Sequence, residues 1–146
     1  MFTILKKLSA AAPEPLNDAD ARLALAALMV RIARTDGSYD ATESTEIGII
    51  LAGRYALGAS EAEKLRQEAE EVEAEAPDTV RFTRAIKSAV SYEERASVVE
   101  CLWRVVLADG RRDDDENALM RLVVNLLGVN DRDSALARQA VRARHP

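Results

Sequence analysis

The sequence contains a single cysteine, Cys101, so no disulfide can form within the chain. Unpaired cysteines are usual where the surroundings are reducing, and we therefore expect a cytoplasmic protein. Aromatic residues make up only 4% of the 146 residues, which disfavours a sheet-rich fold because strands are enriched in aromatic and β-branched side chains. Alanine, leucine, glutamate and arginine predominate instead, and these residues favour helix.

Long apolar runs and an excess of positive charge are absent as well. No stretch approaches the roughly twenty apolar residues that a membrane-spanning helix needs, and the N-terminal MFTILKKLSAAAPEP lacks the apolar core of a signal peptide. The net charge of −5 argues against binding to nucleic-acid phosphates. Residues 2–12 are predicted to form a short helix. Its basic, amphipathic FTILKKL leaves two roles open: packing on the domain, or contact with anionic lipid at the inner membrane face.

The chain contains an internal repeat, which becomes visible when Asp36-Gly37 is aligned with Asp109-Gly110. The same shift places Asp40 on Asp113 and Glu43 on Glu116. The helix predicted before each acidic segment carries an apolar stripe at the spacing i, i+3, i+4, i+7, i+8. The two stripes consist of Leu25, Leu28, Met29, Ile32 and Ala33, and of Val98, Cys101, Leu102, Val105 and Val106.

The repeat predicts the architecture of the fold. Each copy has the pattern of a helix, a short acidic turn, a second helix and a glycine stop, at Leu57-Gly58 or Leu127-Gly128, before a further helix. We therefore predict an all-α single domain over residues 1–146. It would be a compact bundle of about seven helices built from two helix–acidic turn–helix units, over residues 20–76 and 91–143.

The segment between the two copies predicts two helices separated by Pro77. The first has a narrow apolar stripe among glutamates, made of Ala62, Leu65, Ala69, Val72 and Ala76. Pro77 should end this helix, and Asp78 can accept a hydrogen bond at the start of the next one. The second helix carries a basic strip that we interpret as a solvated face, made of Arg81, Arg84 and Lys87.

Each acidic segment has the residues of a helix stop followed by a helix start. The glycine after the first aspartate suits a helix C-terminus. Asp40-Ala-Thr-Glu43 has the form of a capping box, in which Asp40 caps the next helix and Glu43 lies three residues further on. Asp113 and Glu116 repeat this form. One interpretation is therefore that the motif only joins two helices.

A second interpretation is a divalent-cation site, because capping uses only one aspartate and one glutamate of each segment. The remaining carboxylates repel one another unless a cation neutralises them, and Ca²⁺ and Mg²⁺ prefer oxygen ligands of this kind. The spacing is not that of an EF-hand, since Ile47 or Met120 stands where the closing glutamate would be. Such a site would be either shallow or shared between the two turns. Its predicted ligands are Asp36, Asp40, Glu43, Asp109, Asp113 and Glu116.

A third interpretation is a metal-dependent phosphohydrolase that uses the same acidic residues. Such an enzyme requires a pocket into which carboxylates from both copies converge, and acids placed in turns do not predict one. A cysteine–histidine pair is disfavoured, because His145 is next to the C-terminus and Cys101 lies on an apolar stripe, where it is expected to be a core residue. Trp103 is off that stripe, and we expect it to pack against a second helix.

The doubled motif resembles the TerB-like family, small helical proteins named for tellurite resistance. The resemblance covers roughly residues 20–143 and rests on the segments ALMVRIARTDGSYDATESTEIGII and CLWRVVLADGRRDDDENALMRLVVNLLGV. The first copy departs from the pattern at Thr35, where the second has Ala108, and at Gly48 inside a predicted helix.

This resemblance implies an all-α fold, no enzymatic activity, a link to stress responses, and a relation to the N-terminal domain of membrane-anchored DnaJ-type co-chaperones. It also implies metal binding at the acidic turns, whose carboxylates favour Ca²⁺ or Mg²⁺. We therefore expect a bacterial-type cytoplasmic module with a protein partner. That partner would lie at the membrane if the N-terminal helix contacts lipid.

Overall fold

Residues 18–35, 39–76, 78–108 and 114–144 are described in the computed structural model of the chain, except for the side chains of residues 18 and 114–117. This part of the chain forms seven α-helices and no strand: α1 (Asp18–Arg34), α2 (Ala41–Tyr55), α3 (Ala59–Glu75), α4 (Val80–Ala89), α5 (Tyr92–Leu107), α6 (Asp114–Leu126) and α7 (Asp131–Arg144). The predicted all-α fold is confirmed. The helix predicted over residues 2–12 lies outside the described residues.

Helix α1 is the centre of the packing and contacts α2, α3, α4, α5 and α6. Between Ala24 and Ala33 every side chain is buried except that of Arg31. A helix that is apolar on all sides belongs in the interior of a domain. The predicted stripe of α1 is therefore confirmed, and burial extends beyond it around the helix. No helix in the described ranges is long and apolar enough to cross a membrane.

Aligned positions of the two copies have matching burial. The stripe predicted on α5 is buried throughout, like that of α1. In the second helix of each copy, Ile50 and Val123 are 1% and 0% exposed, whereas Ile49 and Leu122 are 53% and 49% exposed. These matches support the alignment, and the repeat as a unit of architecture stays a prediction.

The two helices predicted between the copies form as α3 and α4. The apolar stripe of α3 packs on the core, with Leu65 partly buried beside four buried residues, Ala62, Ala69, Val72 and Ala76. Asp78 Oδ1 accepts a hydrogen bond from the backbone N–H of Arg81 at 3.2 Å, which confirms its capping role at the start of α4. Arg84 and Lys87 are exposed, as the interpretation of a solvated face requires, whereas Arg81 is partly buried and pairs with Asp78 at 3.7 Å.

Cys101 and Trp103 are both core residues of α5. Trp103 Nε1 donates a hydrogen bond to Ser134 Oγ of α7 at 3.2 Å, so the indole packs against a second helix as predicted. Cys101 is a free, buried cysteine, and burial raises the pKa of its thiol. Because the thiolate is the reactive form, this environment suits a structural residue rather than a nucleophile.

The two halves of the fold differ in how their last two helices pack. Helix α1 packs along α3, and α5 packs along α7. Helix α2 also packs closely along α3, whereas α6 has no comparable contact with α7. The second half is therefore more open between its last two helices than the first half.

The glycine stop predicted for the second copy forms as expected. Gly128 has φ 74°, in the left-handed region that glycine adopts at little cost. The N–H of Val129 then donates to the carbonyl of Val124 at 3.1 Å, which satisfies one of the last carbonyls of α6.

The glycine stop predicted for the first copy is wrong. The left-handed residue there is Ala56, with φ 54° and ψ 46°, whereas Gly58 has φ −68° and precedes α3. The N–H of Leu57 donates to the carbonyl of Ala52 at 3.0 Å. Because the N–H of Leu57 makes the hydrogen bond that closes α2, the residue before it, Ala56, adopts the left-handed conformation. An alanine Cβ is unfavourable in that conformation.

Replacing Ala56 with glycine should raise the free energy of unfolding by about 1 kcal/mol, because glycine avoids the steric cost of a left-handed Cβ. The reverse change, Gly128→Ala, should lower it by about 1 kcal/mol, since an added Cβ meets only ordinary contacts at 3.6 Å or more. Urea unfolding measures both variants. The control is Ala74→Gly, at an exposed position inside α3, which should lose about 1 kcal/mol. A comparable loss of unfolding free energy in Ala56→Gly would contradict the left-handed conformation of Ala56.

Candidate functional site

Asp40 caps the helix that follows the first acidic turn. It has an extended backbone immediately before α2, with φ −107° and ψ −177°, and its Oδ1 accepts the N–H of Glu43 at 3.0 Å. The predicted N-cap is therefore confirmed. Asp40 is exposed, and the cap uses one of its two carboxylate oxygens. The second oxygen can therefore meet solvent or a ligand.

Glu43, the other residue of the predicted capping box, is buried, with 3% of its surface exposed. It lies in the first turn of α2, where the partial positive charge of a helix N-terminus stabilises a carboxylate. Asp40 and Glu43 therefore differ as potential cation ligands, because one is exposed to solvent and the other is enclosed by the protein.

Tyr39 attaches the acidic turn to α3. Its hydroxyl donates to Glu70 Oε2 at 2.5 Å, and Arg66 Nη1 donates to the same oxygen at 2.7 Å. Burial, followed by the hydrogen bond to Glu70, raises the pKa of Tyr39 to about 12. The phenol therefore stays protonated at neutral pH and remains a donor. The guanidinium of Arg34 lies 5.3 Å from the centroid of the Tyr39 ring and adds a cation–π contact.

Arg31 attaches the end of α1 to the end of α3. Its Nε donates to Glu73 Oε2 at 3.0 Å, and its Nη2 donates to the backbone carbonyls of Glu73 and Ala76 at 3.1 and 2.7 Å. Arg34 Nη1 donates to the other carboxylate oxygen of Glu73 at 2.5 Å. The Arg31 guanidinium also lies 5.2 Å from the ring centroid of Phe82 in α4. A cation at these last carbonyls satisfies the C-terminus of α3 and complements its dipole.

The periodicity of α3 predicts a solvated acidic helix and does not single out Glu70 or Glu73. A weaker signal is present in the sequence, because each of these glutamates directly follows a residue of the buried stripe, Ala69 or Val72. Positions beside a stripe lie at the edge of the buried face of a helix. Acids placed there are better candidates for partners on a neighbouring element than acids on the opposite face.

The other predicted cation ligands have no described side chains. Asp36, Asp109 and Asp113 lie outside the described residues, and only the backbone of Glu116 is described, in α6. Within the described ranges, no three histidine, cysteine, aspartate or glutamate side chains are grouped so that they could hold a metal ion. The cation site therefore stays a prediction.

Three cavities lined by described residues have volumes of about 370, 320 and 330 Å³. Neither Asp40 nor Glu43 lines any of the three. A hydrolase of the predicted kind needs carboxylates from both acidic turns to converge on one pocket. The part of the first turn that the structure describes therefore gives that interpretation no support.

The fold and the site define a class of protein, a helical domain in which a capped acidic turn is fixed to a neighbouring helix by arginine and tyrosine side chains. The family model described as tellurite resistance protein TerB matches residues 22–139. The chain belongs to this family, as the doubled acidic motif predicted. Searches of curated proteins and of solved structures found no match.

The Asp40→Ala variant should lose about 0.5–2 kcal/mol of unfolding free energy, because the N–H of Glu43 loses its acceptor at the start of α2. Asp40→Asn should lose much less, since asparagine is as good an N-cap as aspartate. Chemical denaturation of the two variants distinguishes the cap from the charge. Equal losses in both would show that the negative charge, and not the capping hydrogen bond, carries the effect.

Proposed function

We propose that the chain is a non-enzymatic interaction module of the stress response. Its acidic turns would bind a protein partner, and this binding would depend on a divalent cation held at the turns. The observation that carries this proposal is a difference in ion pairing among three carboxylates close to the end of α1, those of Glu70, Glu73 and Asp40. Glu70 and Glu73 are neutralised by arginines, whereas exposed Asp40 has no cationic partner among the described residues. An exposed carboxylate without a described cationic partner is a suitable contact for a cation.

The proposed cation is Ca²⁺ or Mg²⁺, because carboxylate oxygens are the preferred ligands of these ions. Asp36 and Asp40 would supply ligands in the first turn, and Asp109 and Asp113 would supply them in the second. Glu43 and Glu116 would contribute from the first turn of the following helix. Asp40 fits this role with its second oxygen, since the cap occupies only one. We expect weak binding, because Asp40 is exposed to solvent and the cap uses one of its two oxygens.

The proposed partner is a protein with a basic surface. Five glutamates of α3 are exposed in addition to Asp40, namely Glu61, Glu63, Glu68, Glu71 and Glu75. Complementary charge on a partner would increase the rate of association and orient the complex. We place this interaction in the cytoplasm, with a soluble partner or with one at the inner face of the membrane. The acidic surface does not suit nucleic acid.

A calcium and magnesium titration of the metal-free protein, followed by amide NMR shifts, tests the cation site. We expect saturable shifts at Asp40 and Glu43, with dissociation constants of about 10⁻⁴ to 10⁻³ M, as for weak carboxylate sites. Asp40→Asn should weaken binding and keep the cap.

The matched control for this titration is Asp78→Asn. Asp78 also accepts a helix-starting N–H, from Arg81, so this variant makes the same chemical change at a cap outside the turn. It should leave cation binding unchanged. Absence of saturable shifts up to about 10 mM cation, which is beyond the range of weak extracellular sites, would refute the cation site. An equal effect of both variants would show non-specific charge screening instead.

A further inference from the structure

A cavity of about 370 Å³ lies between α5, α6 and α7. Its volume is within the range of sites that bind small molecules. Trp103 of α5 and Met120 and Val124 of α6 form an apolar wall. The cavity lies where α6 and α7 lack the close packing seen between α2 and α3. The opening is thus a consequence of the different packing in the two halves of the fold.

Three arginines line the same cavity, Arg121 from α6 and Arg138 and Arg142 from α7. None of them takes part in an ion pair within the described part of the chain. Asp131 is the one acidic residue on the described lining. This wall is therefore strongly positive, although the chain as a whole has a net charge of −5.

Arg138 is the most constrained of the three arginines. Its guanidinium lies 5.0 Å from the centroid of the Trp103 ring, which holds the side chain against the apolar wall. Its Nε is buried and has no hydrogen-bond partner. A buried guanidinium donor without an acceptor is unfavourable, so the described residues satisfy this guanidinium incompletely.

The arginines of a second cavity show the contrast. That cavity, of about 330 Å³, is also lined by three arginines. The Nε atoms of Arg54 and Arg104 are likewise buried without a partner, but each of the three side chains makes another hydrogen bond or ion pair. Arg54 donates to Ser97 Oγ at 2.9 Å, Arg104 donates to Glu46 Oε1 at 2.9 Å, and Arg144 pairs with Glu100. Two of these three guanidiniums are therefore paired with a carboxylate, whereas none of the three arginines at the Trp103 cavity pairs with a carboxylate of the described residues.

We propose that the cavity between α5, α6 and α7 binds a small organic anion, in which a phosphate or carboxylate group is attached to an apolar, planar body. The oxyanion would be bound by Arg121, Arg138 and Arg142, because guanidinium groups match the geometry of phosphate and carboxylate oxygens. The apolar body would lie against Met120 and Val124. This site is separate from the acidic turns and does not depend on their proposed role.

Trp103 is the single tryptophan of the chain, so its fluorescence reports directly on this cavity. The full-length protein is titrated with phenyl phosphate and with benzoate, which present the two oxyanions on the same ring, and with uncharged phenol. We expect a saturable change for phenyl phosphate or benzoate, and the stronger ligand identifies the oxyanion. No saturable change with either anion, or an equal response to phenol, would refute the proposal.

Two substitutions locate the binding in the cavity. Arg121→Gln changes an exposed side chain, so the fold should be retained, and Arg138→Gln removes the guanidinium beside Trp103. Each should weaken binding of the anion by about ten-fold or more, the effect of losing one charge-assisted hydrogen bond. Arg132→Gln is the control, an exposed arginine of α7 that does not line the cavity. Unchanged binding in Arg121→Gln, or an equal loss in the control, would overturn the assignment.

Discussion

The pair formed by Arg31 and Glu73 is the interaction on which the arrangement of the first half of the fold depends. Both side chains are largely removed from solvent, with 15% and 12% of their surfaces exposed. Such a pair is stable only if the remaining donors and acceptors are also satisfied. Arg31 meets this condition, because its other donors reach the last carbonyls of α3 and the Thr79 hydroxyl. The end of α1, the end of α3 and the start of α4 are thereby fixed together.

The same cluster of side chains also holds Tyr39, the residue before Asp40. Arg34 pairs with Glu73 and also contacts the ring of Tyr39, and Tyr39 is hydrogen-bonded to Glu70. Asp40 follows directly and starts α2. The carboxylates described near the turn therefore differ in environment: Glu70 and Glu73 are paired with arginines, Glu43 is buried, and Asp40 is exposed. The proposed function rests on this difference, because an exposed acid without a cationic partner among the described residues can bind a cation or a basic partner.

The sequence predicted those features that follow from local rules. The stripes of α1, α3 and α5 follow from helical periodicity, and the caps at Asp40 and Asp78 follow from the hydrogen-bonding geometry of an aspartate before a helix. The match to the TerB family over residues 22–139 agrees with the resemblance inferred from the acidic motif.

The features that the sequence did not predict depend on contacts between distant segments. Arg31 and Arg104 occupy aligned positions, yet one pairs with Glu73 of α3 and the other with Glu46 of α2. Periodicity indicates which face of a helix is buried, but not which acid of a neighbouring helix an arginine will reach. The left-handed residue after α2 is a similar case. The hydrogen bond that closes the helix places this conformation at Ala56, and the nearby glycine does not determine it.

A double-mutant cycle on Arg31 and Glu73 tests the anchor most directly. Arg31→Met keeps an unbranched side chain against Phe82, and Glu73→Gln keeps the shape of the glutamate. Unfolding free energies of the two single variants and the double variant give the coupling between the side chains. We predict a coupling of about 1–3 kcal/mol, in the range found for residues within one hydrogen-bonded network. Losses that add to within about 0.5 kcal/mol would show that the two residues act independently, and would contradict the central role given to this pair.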